Sequence, residues 1–305
     1  MHHTCSLKSN WFGEMVRILN RKIKKAISIT SLIFFTLHLQ AQSEPEKTMY
    51  SMNHVLNYAG ASIVELVDPY LSVLNYSGYG VWFDYSNYRY FDPGRLTLVE
   101  YSRLEGLGAL TLNPQSTALI TYLGANTAYG VLYEYRDIDN IVLHAGGNVD
   151  VDFGMKIHSR NVNNPYSMDL AANLNGMLGF RYMIPTKRRI LNLSTQIEFP
   201  MMGCMFVPYP GLSYYEIYNS KKIGETIHFS SFHNKQGIKQ RIIFNMPFKH
   251  SSWSVGVLMH LLKYQTGEQP YKMNEFSVFF GIQYDFIKFS GWKSNKPENF
   301  VSPGL

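Results

Sequence analysis

The stretch NEFSVFFGIQYDFIKF, residues 274–289, sorts its side chains into two sets at a period of two. Phe276, Val278, Phe280, Ile282, Tyr284 and Phe286 share one face; Glu275, Ser277, Gly281, Gln283 and Asp285 share the other, interrupted by Phe279 and Ile287. Successive residues of a strand point to opposite faces, so this is a strand with one broad aromatic face and one polar face. A closed barrel with lipid outside and water inside uses that division. A soluble sandwich alternates as well, so the reading depends on the pattern recurring at barrel-sized lengths.

It does recur. Over residues 141–158, Ile141, Leu143, Ala145, Gly147, Val149, Val151, Phe153, Met155 and Ile157 alternate with a set that includes His144, Asn148, Asp150, Asp152, Lys156 and His158. A globular strand usually ends after ~5–6 residues; tilted barrels use longer ones. Residues 167–184 and 191–199 repeat the alternation as a hairpin across the polar turn PTKRR, residues 185–189. Further candidates are 74–90, 96–110, 116–135, 226–233, 238–248 and 252–264, separated by turn chemistry such as Asp92-Pro93-Gly94 and Asn113-Pro114. The expectation is an all-β chain forming a single antiparallel transmembrane β-barrel of 10–12 strands, even-numbered as in bacterial barrels. Residues 200–225, which carry Pro208 and Pro210, leave two alternatives open. On a ten-strand count they lie on the periplasmic side and plug the lumen; with an added hairpin at 213–218 the count becomes twelve.

The start of the chain reads as a secretion signal. Arg21, Lys22, Lys24 and Lys25 precede the apolar run AISITSLIFFTLHL, residues 26–39, and Gln40, Ala41 and Gln42 offer a small-residue cleavage site. The expected organisation is a signal peptide at 1–41, with 1–14 upstream of the start at Met15; a periplasmic lead-in at 42–67; a barrel at 68–289; and a polar tail at 290–305. Residues 1–41 contain six Lys and Arg and one Glu, so removing them takes the net charge from +6 to +1. The basic balance that would fit a nucleic-acid partner disappears with the leader. Cys5 leaves with it, and Cys204 remains without an intramolecular disulfide partner. No later segment reaches 18 consecutive apolar residues, so membrane-spanning helices are excluded and a barrel is the remaining way across.

Three stretches carry a likeness: PYLSVLNYSGYG at 69–80, SRNVNNP at 159–165 and FPMMGCMFVPYPGLSYYEIY at 199–218. Through them the chain resembles an uncharacterised outer-membrane β-barrel family of Bacteroidales, from about residue 68 to residue 289. The resemblance implies a barrel and a bacterial outer-membrane location, and no known reaction or substrate.

His144, Asp150, Asp152, Lys156 and His158 share the expected lumen face of one strand. Carboxylate and imidazole on one face suit a selectivity lattice or a divalent cation; opposite charges that neutralise each other inside a barrel explain the same set, and no metal or cofactor is expected. His228 and Ser230 also share a face, with Ser231, His233 and Asn234 nearby. They are the candidates for an outer-membrane lipid or lipid A acyl hydrolase, although spacing supplies neither hydrogen-bond geometry nor an orienting third group. Asn161, Asn163, Asn164 and Pro165 read as turn formers. Tyr76, Tyr79, Trp82, Tyr85, Tyr88, Tyr90, Tyr129, Tyr133, Tyr135, Tyr182, Tyr264 and Tyr284 read as interfacial girdles rather than a sugar slide. No HExxH, Walker, CxxC or GxSxG motif is present. The function expected from sequence is therefore a narrow or plugged pore or an envelope scaffold. Its expected partners are outer-membrane lipid, lipopolysaccharide and the barrel-assembly machinery.

Overall fold

Eleven strands account for nearly all regular structure in the computed structural model: β1 Met49–Asp68, β2 Ser72–Tyr90, β3 Leu98–Leu112, β4 Leu119–Ile138, β5 Ile141–His158, β6 Tyr166–Pro185, β7 Ile190–Phe206, β8 Ile227–Ser231, β9 Lys235–Pro247, β10 Ser252–Tyr264 and β11 Tyr271–Ser290. One short helix, α1 Tyr214–Asn219, lies between β7 and β8. The structure describes residues 49–90, 98–162, 164–187, 189–209, 212–219, 223–248, 251–266 and 270–290, without the side chains of 49, 50, 223 and 287–290. The expected leader and nearly all of the expected tail lie outside the described residues.

Sequential strands pair antiparallel from β1 to β7, β7 pairs with β9, β9 with β10, β10 with β11, and β11 returns to β1. The ring is closed, as a spanning sheet requires; β8 pairs on one side only, with β7. β8 lies against residues 202–206 of β7, and β9 against residues 192–198 of the same strand. Joined by the turn at residues 232–234, β8 and β9 fill one position in the wall. The wall therefore has ten positions.

Two sequence expectations are corrected here. Segments 226–233 and 238–248 are one wall position, and the missing tenth strand is β1, which occupies most of the expected periplasmic lead-in. In β1 the apolar residues Leu56, Tyr58, Val64 and Leu66 point inward and are buried, while Asn57, Ala59, Ala61 and Ile63 point outward. Its pattern is inverted relative to a strand with a greasy exterior. Adding a strand at the front also moves residues 207–226 to the opposite end of the barrel. That end carries the connections 69–71, 113–118, 159–165, 207–226 and 265–270; the other carries turns such as 139–140 and 186–189. Residues 200–206 belong to β7 and 214–219 are helical, so among the described residues the expected hairpin at 213–218 does not form.

The two faces of the wall divide as the alternation predicts. Val149, Val151 and Phe153 are 56%, 42% and 45% exposed, whereas Asp150 between them is 6% exposed. Phe276, Val278, Phe280, Ile282, Tyr284 and Phe286 of β11 are exposed outside, with Glu275, Ser277 and Gln283 buried inside. Tyr85, Tyr133, Tyr135, Tyr182, Trp253 and Tyr284 are exposed towards the short-turn end, where a girdle belongs. Tyr76, Trp82 and Tyr90 are instead buried in the lumen, because even-numbered positions of β2 face inward. Tyr76 and Trp82 join an apolar cluster, inside the barrel, that also contains Leu56, Tyr58, Leu107, Ile120, Tyr122, Leu258 and Phe279, and Tyr90 joins a second with Met52, Val99, Tyr101, Leu132 and Met177. Phe279, the interruption in the polar face of β11, packs on Tyr58 at 4.9 Å and Trp82 at 5.1 Å between ring centres. Glycines make the room: a Cβ on Gly256 would lie 2.5 Å from the Phe279 ring, and one on Gly281 2.2 Å from the Tyr58 ring.

Candidate functional site: a bridged lumen below an open cavity

The middle of the lumen is occupied by an ion-pair network. Arg103 of β3 donates to Glu198 of β7 at 2.6 Å and to Asn126 of β4 at 2.7 Å. Glu105 of β3 accepts from Trp82 at 2.9 Å, from Lys239 at 3.1 Å and from Arg241 at 2.9 Å, the last two on β9. Arg241 also lies 3.0 Å from Asp84 of β2. Glu198 completes its bonding with the side-chain amides of Asn148 at 2.9 Å and Asn175 at 3.1 Å. β3 and β9 are five positions apart in a ring of ten, counted either way. The bonds from Glu105 to Lys239 and Arg241 therefore cross the full width of the barrel. Tyr88 of β2 and Gln196 of β7, also diametrically placed, meet at 2.9 Å. Three carboxylates and three cations balance, so each buried charge has a partner and little space is left. Cavities in and beside this region are about 80, 50 and 40 Å³.

The five sequence candidates on β5 lie inside but at separate depths. Asp150 and Asp152 share Asn126 and Asn173 as donors, at 2.6–3.1 Å. His144 lies nearer the short-turn end, beside Glu134 and Arg181. Lys156, fully buried, reaches Asp68 of β1 at 2.6 Å and Asp169 of β6 at 2.8 Å. His158 accepts at Nδ1 from the backbone N–H groups of Arg160 and Asn161, so its ring proton sits on Nε2, 2.8 Å from the Tyr76 hydroxyl. Asn161 in turn accepts from the Asn164 backbone at 3.0 Å, the conformational role expected of that loop. Among the described residues, no set of three His, Cys, Asp or Glu side chains converges as a metal site.

At the long-loop end the lumen widens into a cavity of about 490 Å³, which sequence reasoning did not find. Asp68, Asp169, Tyr70, Tyr209, Tyr264 and Tyr271 contribute to its lining, with His228 on the β8 side. Its base is ordered. The Tyr271 hydroxyl donates to Asp169 at 3.1 Å, the Tyr264 and Tyr271 rings stack at 4.3 Å, and the Lys156 ammonium lies 4.3 Å from the Tyr271 ring centre. The loop after β7 packs beside the cavity. Burial pushes the Tyr70 phenol up to about 12, keeping it a donor, and it bonds the Leu212 carbonyl at 2.9 Å. Tyr214 accepts from the Met168 backbone at 2.7 Å, and Ser213 with Glu216 forms a capping box on α1. Hydrogen bonds from Ser213 hold the Glu216 carboxyl below its ordinary range.

His228 and Ser230 both face inward, two residues apart on β8, and among the described residues no hydrogen bond joins them. The serine that meets an imidazole is Ser231, whose Oγ is 2.5 Å from His233 Nδ1. Asn234, the available third group, is committed to the Ser231 N–H and the Phe229 carbonyl. The arrangement stabilises the turn between β8 and β9 and lacks an oriented catalytic base.

The closed ring, its apolar exterior and its charged interior are those of a bacterial outer-membrane barrel. Residues 27–293 match a family described as "Protein of unknown function (DUF3316)". The chain belongs to this family. No curated protein matches the sequence. Among solved structures, it is similar to the outer membrane protease OmpT from Escherichia coli at 7% identity, over 80% of this chain and 99% of that one, with a TM-score of 0.43. It is similar to the translocator domain of autotransporter NalP from Neisseria meningitidis at 7% identity, over 87% and 98%, TM-score 0.39. The COG4313 outer membrane channel from Pseudomonas putida F1 aligns at 12% identity, over 80% and 98%, TM-score 0.30. These likenesses are distant, and the ten-position ring stands on its own strand pairing.

Proposed function

We propose that this family member is a plugged barrel, closed to ions and solutes, that serves as a scaffold in the bacterial envelope. The observation that carries the reading is the ion-pair bridge from Glu105 to Lys239 and Arg241 across the lumen. Ten strands enclose little more space than side chains can fill, and here both an apolar cluster and a charged network fill it. The plug is made by the wall's own side chains, with residues 207–226 at the rim. Under this reading the signal at residues 1–41 is removed on export in a Bacteroidales cell, as the motifs at 159–165 and 199–218 imply. Assembly machinery inserts the barrel, and lipid and lipopolysaccharide surround its apolar belt. The long loops face outward and the short turns the periplasm.

Liposome swelling tests the proposal. Proteoliposomes carrying the wild-type barrel should swell in arabinose no faster than empty vesicles. The double variant Glu105→Ser/Lys239→Ser, which leaves the Arg103–Glu198 and Arg241–Asp84 pairs in place, should swell measurably. Rapid swelling with the wild type would end the proposal.

A further inference from the structure

We infer that the 490 Å³ cavity at the long-loop end is a binding site for a small neutral or amine-bearing sugar, and that it rejects anionic sugars. Its volume falls within the ~300–1,000 Å³ range of ligand pockets. Three features set the ligand class. Tyr209 and Tyr264 bring partly exposed aromatic rings to the cavity, and the C–H face of a pyranose packs on such rings. Asp68 and Asp169 are acceptors at its base, and hydroxyl or ammonium donors make charge-assisted bonds to carboxylates.

The third feature is charge. The two carboxylates share a single ammonium, Lys156, which is itself fully buried behind them and oriented by Tyr271. Among the described residues, the cavity's lining thus holds two carboxylates, and its one basic group is His228. A uronate would bring its carboxylate against Asp68 and Asp169, whose shared ammonium is buried behind them. The exposed Tyr209 and Val73 lie on the cavity's lip, so entry requires no opening of the plug below.

Saturation-transfer NMR on the detergent-solubilised full barrel tests this with glucose, glucosamine, glucuronate and tetramethylammonium as probes. Transfer to the ring protons of glucose and glucosamine is expected, with glucuronate and tetramethylammonium at background. Asp169→Asn, which keeps the side chain's shape, and Tyr209→Ala, in the loop, should each weaken sugar binding by about tenfold. Heat-modifiable gel migration should confirm that both variants still fold. Binding of none of the sugars, equal binding of glucuronate, binding of tetramethylammonium alone, or full affinity in both variants would overturn the inference. Liposome swelling reads the plug independently: a leaky barrel that binds glucosamine would leave this site standing, and a sealed barrel that binds no sugar would remove it alone.

Discussion

The middle of the lumen and its long-loop end are built from the same strands, yet one is filled and the other is open. At mid-height, Arg103, Glu105, Glu198, Lys239 and Arg241 reach one another across the barrel and leave cavities of about 80 Å³ or less. At the long-loop end, Lys156 of β5 reaches Asp68 on β1, four positions away, and Asp169 on the neighbouring β6, and about 490 Å³ stays empty beside them. The difference lies in how many long charged side chains stand at each depth. Where five long charged side chains meet the barrel is plugged; where a single lysine reaches two short aspartates, space remains. A barrel of fixed strand number can thus be closed at one depth and receptive at another.

The sharpest way to break the contrast is to remove a cation from the filled region. Arg103→Ala leaves Glu198 and Glu105 short of their partner in a place water reaches poorly, and stability against urea should fall by about 3–5 kcal/mol. On the outside of the same wall, Val151→Arg puts a charge on the lipid face, which costs about 2–4 kcal/mol at mid-bilayer. Assembly into vesicles should drop sharply, while Asp152→Asn on the inner face should assemble almost normally. Equal behaviour of these two variants would contradict the assigned faces. Lys156→Met strips the cation from Asp68 and Asp169, but the cavity lets water reach Asp169, so the loss should be smaller, about 1–3 kcal/mol. Smallest of all, Tyr70→Phe deletes the bond to the Leu212 carbonyl and should cost about 0.5–1.5 kcal/mol, read as faster proteolysis of the 207–226 loop.

Much of the wall was legible in the sequence because its physics is period two. β5 and β11 announce themselves: their outward residues are apolar and their inward ones polar, and a slip of one residue would reverse both. β1 was missed because Leu56, Tyr58, Val64 and Leu66 point inward to an apolar patch of the lumen, leaving Asn57, Ala59, Ala61 and Ile63 outside. Splitting the β8–β9 wall position into two strands restored the count of ten by a compensating error. The girdle was over-read for the same reason as β1 was missed. Tyr76, Trp82 and Tyr90 look interfacial by type but are lumenal by parity. Of the candidate site, the inward facing of Asp150 and Lys156 followed from alternation along one strand. Their partners did not: Asp68 lies 88 residues from Lys156, and Glu105 lies 136 from Arg241. Such contacts depend on ring position, which no local pattern encodes. The cavity depends as well on how the loop after β7 packs against Tyr70 and Met168.

The central claim is that side chains of the wall close the lumen at mid-height, and single-channel recording tests it most directly. Wild-type barrels reconstituted in a planar bilayer in symmetrical salt should give no steady conductance over many insertions. Glu105→Ser/Lys239→Ser barrels, which fold with the same heat-modifiable mobility, should open stable channels. Steady, salt-proportional currents from the wild type, unchanged in the double variant, would contradict the account.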